Sequence, residues 1–287
     1  MDLCNINDIK TLLARHGFHF SKSKGQNFLT QRWVPQRIVT EAGVDGSCGV
    51  LEVGPGIGPL TRELCRQANK VVAVEVDTSL KPVLAETMAD ADHLEIIFGD
   101  ILKTDIAALV REKFAGLKPM ACANLPYYIT TPVLAALLSA RCFDSVTVMV
   151  QKEVAQRICA KAGSSEYGAF SVFCQYYAEP TLLFDVPASC FIPQPKVTSA
   201  VLQLRVRTAP PCEILDETLF FRVVKTSFAQ RRKTLLNGLC SGFSELGKQR
   251  LTEILTSCGI APSVRGETLD ITAFARIANA LCGVLRA

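Results

Sequence analysis

A chain of 287 residues is long enough for one large α/β domain, or for a main domain with a smaller appendage. Its composition, 49% hydrophobic and 20% charged, is that of a soluble globular protein and excludes a fibrous or disordered one. The formal net charge of +4 permits a polyanionic partner without demanding one.

Residues 6–16 carry apolar positions at helical spacing (Ile9, Leu12, Leu13), and the polar stretch Ser21-Lys22-Ser23-Lys24-Gly25-Gln26-Asn27 follows. From Val50 short apolar runs alternate with amphipathic stretches, the pattern of βαβ units on a parallel sheet. Strands are predicted at 50–53, 71–75, 94–98, 120–123 and 146–150, with helices at 60–67, 80–88, 106–114 and 133–140 between them. Two further β-like runs, 181–186 and 201–206, flank the loop Phe191-Ile192-Pro193-Gln194-Pro195 and point to a sheet closed by an antiparallel pair. Thr208-Ala209-Pro210-Pro211 reads as a linker. Beyond it come helices at 219–228, 234–239, 251–258 and 274–285, with no strand pattern. The expected division is 1–207, with a helical extension at 1–30, and a helical C-terminal domain at 208–287.

The first residues, Met1-Asp2-Leu3-Cys4-Asn5, lack the basic start and apolar core of a secretion signal. The uncharged run 119–140 matches a membrane span in length, but it contains Asn124, Pro126 and Pro132 and reads as strand, loop and helix start. The twelve cysteines include no C-x-x-C pair, and the three histidines are not at zinc-ligand spacing. These features predict a soluble cytoplasmic protein with reduced thiols, no metal and no membrane association.

The first strand runs into Glu52-Val53-Gly54-Pro55-Gly56-Ile57-Gly58. Glycines let the chain turn tightly and bring its backbone against a ligand ahead of a helix. A dinucleotide fingerprint wants glycine or alanine at position 59, which is Pro59 here. An acid followed by G-x-G-x-G instead suits S-adenosylmethionine, which has no pyrophosphate to cradle. Glu75 ends the next strand, nineteen residues after Gly56, where an acid can accept both ribose hydroxyls. Asp100 follows the third strand, where a carboxylate can receive an adenine amino group.

The fourth strand ends in Asn124-Leu125-Pro126-Tyr127. The exocyclic amine of adenine is a weak nucleophile because its lone pair is delocalised into the ring. The Asn124 side-chain oxygen and the Pro126 carbonyl can accept its hydrogens, and Tyr127 can stack on the base. Orientation and electrostatics then suffice without a strong base.

Through these motifs and others, the chain resembles the ribosomal RNA adenine N6-dimethyltransferases of the small-subunit type over nearly its whole length. The resemblance rests on 23–29 (Ser-Lys-Gly-Gln-Asn-Phe-Leu), 52–58, 124–127, 151–155 (Gln-Lys-Glu-Val-Ala), Tyr167-Gly168, 191–197 with Ser199-Ala200, and 228–234 (Phe-Ala-Gln-Arg-Arg-Lys-Thr). It implies a doubly wound, seven-stranded Rossmann-like methyltransferase sheet with a small all-helical C-terminal domain. It implies two methyl transfers to each of two adjacent adenosines in a hairpin near the 3′ end of small-subunit rRNA, during ribosome biogenesis. Asn27 and Leu29 then join Gly54, Gly56, Glu75, Asp100 and Asn124 around the cofactor, and Phe191 faces Tyr127 across the target base.

Lys22, Lys24, Arg231, Arg232 and Lys233 become candidate phosphate contacts. The expected partner is small-subunit rRNA within an assembling 30S particle, and the expected state a monomer. Two other readings share these motifs. One is the large-subunit rRNA methyltransferase of the antibiotic-resistance type. The other is a non-catalytic nucleic-acid-binding factor on the same fold, against which Asp2, Asp8 and the intact Glu75, Asp100 and Asn124 argue. A DNA adenine methyltransferase would call for a larger recognition domain.

Overall fold

The computed structural model describes residues 1–18, 25–230 and 232–285. The chain forms two compact units, one of Met1–Ala155 with Glu179–Val206 and one of Gln156–Ala178 with Arg207–Ala287.

The first unit holds helices α1 (Ile6–Arg15), α2 (Trp33–Ala42), α3 (Pro59–Gln67), α4 (Lys81–Thr87), α5 (Ile106–Lys113) and α6 (Thr130–Ser139). Its strands are β1 (Phe28–Leu29), β2 (Cys48–Val53), β3 (Lys70–Glu75), β4 (Leu94–Phe98), β5 (Lys118–Asn124), β6 (Ser145–Gln151), β7 (Ala178–Val186), β8 (Phe191–Ile192) and β9 (Ser199–Val206), β7 entering it from the second unit at Ala178. Seven strands make one sheet in the order β4-β3-β2-β5-β6-β9-β7. Those from β4 to β6 are parallel neighbours, and β9 runs antiparallel to β6. The chain therefore enters at the middle, winds out to one edge and returns through β5. That reversal between β2 and β5 leaves a crevice at the carboxyl edge, where open α/β sheets bind ligands.

The strand sequences explain the arrangement. Every residue of β2 is buried, as is every residue of β3 after Lys70, so both read as unbroken apolar runs. One apolar cluster packs α2 and α3 on the sheet through Val34, Ile38, Leu60 and Leu64. A second joins Ile9, Leu12 and Leu13 of α1 to Leu80, Val83 and Leu84, and it includes Phe28 and Ile57 beside the glycine loop. Glu86 of α4 adds a polar tie: it pairs with Arg15, and its Oε2 lies 2.6 Å from His16 Nε2. A separate two-residue ladder pairs β1 with β8, Leu29 opposite Phe191 and Phe28 opposite Ile192.

In the second unit, α7 (Lys152–Cys159), which begins in the first unit, leads to α8 (Ala169–Tyr177), α9 (Glu217–Phe228), α10 (Leu235–Gly242), α11 (Gly247–Ser257) and α12 (Ile271–Leu285). Segment 156–178, placed with the sheet domain by the sequence reading, groups here instead. Its reason is aromatic: Phe173, Tyr176 and Tyr177 of α8 pack on Phe220 and Phe221 of α9. Both tyrosine hydroxyls donate to Glu217, at 3.0 and 2.6 Å. The predicted strands all lie within observed ones, whereas α2, α7 and α8 were not predicted. Helix α8 escapes because Ala-Phe-Ser-Val-Phe-Cys-Gln-Tyr-Tyr is rich in residues that favour strands, and packing overrides that preference. Among the described residues no helix is long and apolar enough to cross a membrane.

At Gly49 a Cβ would stand 2.5 Å from Cδ1 and 2.9 Å from Cβ of the buried Phe114. Gly49→Ala is expected to cost about 1–3 kcal/mol by overpacking, visible as a lowered Tm, and Phe114→Leu in the same chain to restore part of it. An unchanged Tm in the single variant would mean that β2 yields freely.

Candidate active site

The carboxyl ends of β2, β3, β4 and β5 open on one cavity of about 240 Å³. After β2, Gly54 and Gly56 take positive φ angles of 72° and 61°, which a side chain resists. At Gly56 a Cβ would also come within 3.2 Å of the Phe28 ring. The loop folds back on Glu75, whose Oε2 accepts from Gly56 N at 3.2 Å while Oε1 accepts from Asp77 N at 2.8 Å. Burial raises the Glu75 pKa, and the backbone donors oppose that rise. A carboxylate offers about four lone-pair sites, so Glu75 keeps acceptor capacity for a ligand beside its backbone donors.

Asp100 caps the turn after β4, its Oδ1 accepting from Leu102 N at 3.0 Å. Lys103 Nζ lies 3.9 Å from Oδ2. The β1–β8 ladder brings Leu29 beside Phe191, and Gln26 Nε2 donates to Asp77 Oδ2 at 2.7 Å.

Asn124 ends β5 with its Nδ2 3.5 Å from the Asn27 carbonyl, an orientation that leaves Oδ1 as the acceptor available to a ligand. The Tyr127 hydroxyl is 2.7 Å from Oγ of the buried Ser199, which anchors the ring. Phe191 is only 5% exposed. Pro126 departs from expectation. Its carbonyl already accepts from Ile129 N at 3.2 Å and Thr130 Oγ1 at 3.3 Å, so both lone pairs are engaged by the turn into α6. The acceptor role assigned to that carbonyl is corrected accordingly, and Leu125, one residue earlier, lines the same cavity.

Among the described residues the lining includes Glu52, Glu75, Asp77 and Asp100, and no lysine, arginine or histidine. Glu52 is 1% exposed, and its Oε2 makes no hydrogen bond among the described residues. Burial pushes its pKa up to about 8, with the Glu75 charge adding to the rise and the Thr61 hydroxyl opposing it. With Glu52 protonated, the other acids and the lack of a basic side chain among the described lining residues still disfavour phosphate and suit a ligand that carries positive charge. Apolar side chains stand at the rim beside two of the acids, Val76 (58% exposed) after Glu75 and Leu102 (43%) after Asp100. Exposed apolar groups beside two acids fit a flat, hydrogen-bonding ring. The donor set thus fits S-adenosylmethionine, with its sulfonium and ammonium charges and its adenosine.

Every cofactor and base residue expected from the sequence lines this cavity: Asn27, Leu29, Gly54, Gly56, Glu75, Asp100, Asn124, Pro126, Tyr127 and Phe191. Of the candidate phosphate contacts, Arg232 and Lys233 are not part of that lining. Arg232 and Lys233 are exposed in the second unit, while Lys22, Lys24 and Arg231 lie outside the described residues. Sequence reasoning missed Gln26, Asp77, Val76, Leu102 and Leu125. Only the placement of Val76 and Leu102 just after the two acids could have pointed to them.

The ribosomal RNA adenine dimethylase family matches residues 17–282 of the chain. Ribosomal RNA small subunit methyltransferase A of Geobacillus thermodenitrificans is 47% identical over 290 residues, covering 99% of each chain. The protein of the same name from Shouchella clausii is 47% identical over 278 residues, covering 96% of this chain and 94% of that one. Among solved structures, a dimethyladenosine transferase from Plasmodium falciparum superposes with a TM-score of 0.72 at 24% identity, over 87% of this chain and 95% of the other. The 23S rRNA methyltransferase ErmE gives 0.66 at 24%, over 89% and 99%. At that identity the two structural likenesses concern the fold.

The Glu52 carboxyl ties stability to pH. Below its ordinary value of 4.5 the acid is protonated in both folded and unfolded chains. Above that the unfolded chain ionises while the folded one keeps its proton, so stability falls as pH rises toward about 8. Glu52→Gln is therefore expected to gain stability over the parent as pH rises from 5 to 8.5, by on the order of a few kcal/mol at the upper end, visible as a widening difference in Tm. A Tm difference independent of pH would mean that Glu52 is ionised throughout.

Proposed function

The chain belongs to the ribosomal RNA adenine dimethylase family, S-adenosylmethionine-dependent enzymes, and from that premise we propose how its cavity methylates adenine N6 in small-subunit rRNA. The supporting observation is one cavity that joins an acid-only cofactor lining to Asn124, Tyr127 and Phe191.

The glycine loop at Gly54–Gly56 and the Asn27–Leu29 segment hold the donor's amino-acid end, near Glu52. The acceptor capacity left on Glu75 takes the ribose hydroxyls, and Asp100 takes the adenine amino group. Val76 and Leu102 cover the faces of that ring. When bound, S-adenosylmethionine supplies a methyl group on a positively charged sulfur, already activated for displacement.

Tyr127 and Phe191 hold the target adenine between their rings, and Ser199 keeps Tyr127 from swinging away. Asn124 Oδ1 accepts one hydrogen of the target amine, and the Leu125 carbonyl takes the second in place of Pro126. Drawing both hydrogens out of the ring plane pulls the nitrogen lone pair out of conjugation and aims it at the methyl group. The target base leaves its stack to reach these groups, which favours an unpaired loop. The substrate is two adjacent adenosines in the 3′-terminal hairpin, presented in an assembling 30S particle to a monomeric enzyme. Arg232 and Lys233 of the second unit meet phosphates outside the cavity.

Asn124→Ala is expected to lower kcat on the order of 100-fold or more while the affinity for S-adenosylhomocysteine, read by calorimetry, stays within a few-fold. Equal activity in the variant would remove the amine-orienting role. Small subunits from cells lacking the modification should accept methyl groups and large subunits should not; the reverse would redirect the enzyme to the large subunit. Arg232→Glu with Lys233→Glu should flatten the dependence of log affinity on log salt by about one unit per lost phosphate contact. An unaltered slope would make the pair solvent-facing only.

A further inference from the structure

Three large apolar side chains stand exposed at the cavity rim: Val76, Leu102 and Tyr128. The first two are accounted for by the donor's purine. Tyr128 is not. It neighbours Tyr127 in the turn Tyr127–Ile129, yet the two rings have different fates. Tyr127 is anchored on Ser199, whereas Tyr128 is 58% exposed.

Exposure does not leave the Tyr128 ring unsupported. A Cβ at Gly25 would stand 3.1 Å from its Cδ1 and 3.2 Å from its Cε1, so the ring lies over Gly25 in the space a side chain there would take. Tyr128 follows Tyr127 in the chain and lines the same cavity as Pro126, whose Cβ would stand 3.6 Å from that same Cβ at Gly25, which puts it toward the base end. A ring already held in place loses little conformational freedom when something stacks on it.

We propose that Tyr128 is a stacking platform for the nucleobase adjacent to the target adenosine, a second base subsite outside the methylation pocket. This rests on the reading of the cavity given above. Extruding the target into the pocket strips its neighbour of a stacking partner, and an exposed aromatic face at the pocket mouth replaces it. Such stacking accepts any base, because every base has a π-face. It holds ground state and transition state alike, so it acts on KM rather than on kcat. The platform is uncharged and, unlike an arginine or lysine contact, adds nothing to the salt dependence of binding.

The test uses unmodified small subunits as substrate and compares the parent enzyme with Tyr128→Ala and Tyr128→Phe. Tyr128→Ala should raise KM for the subunits about tenfold, with kcat within about twofold and the salt slope of RNA affinity unaltered. Tyr128→Phe should restore the parent KM, and calorimetry with S-adenosylhomocysteine should give the same affinity in all three. An unmoved KM in Tyr128→Ala overturns the proposal. So does a loss of S-adenosylhomocysteine affinity as large as the rise in KM, which would place Tyr128 on the cofactor. Failure of the parent enzyme to methylate the subunits would instead remove the reading beneath it.

Discussion

Parallel pairing of β2, β3, β4 and β5 is the constraint from which the site follows. Strands that run the same way must all end on the same edge, so Glu52, Glu75, Asp100 and Asn124 are delivered side by side although they span 73 positions of the sequence. The reversal of winding between β2 and β5 keeps helices from covering that edge there. Burial by the flanking layers then takes water away from two of the acids, and that sets the electrostatic character of the pocket.

The pocket separates charge in a way that suits its chemistry. A cavity bearing four carboxyl groups and, among the described residues, no basic side chain disfavours the phosphates of an RNA chain. A neutral base can enter it without that penalty. The positive residues Arg232 and Lys233 are kept in the other unit, exposed to solvent. On the proposed function, the donor's positive charge lies among these acids and the polyanion meets Arg232 and Lys233.

What could be read from the sequence was the part encoded by spacing along a single strand or turn. The acid at the end of each strand, the glycines after β2 and the Asn124–Tyr127 segment are local patterns, and their residues meet in the structure. What could not be read depends on partners far apart in the chain. The grip of Ser199 on Tyr127 spans 72 residues, and that of Asp77 on Gln26 spans 51. The engagement of the Pro126 carbonyl depends on whether the following turn closes onto it, which the letters Leu-Pro-Tyr-Tyr do not disclose. The grouping of 156–178 with the C-terminal helices likewise depends on aromatic contacts between α8 and α9, invisible to a linker search that sees only Thr208–Pro211.

The ladder between β1 and β8 joins residues 164 positions apart, Phe28 with Ile192, through a pair of residues on each side. One of its strands carries Leu29 and the other carries Phe191, and both side chains line the same cavity. A short backbone splice of four residues thus sets the spacing between two parts of the wall that the sequence places far apart.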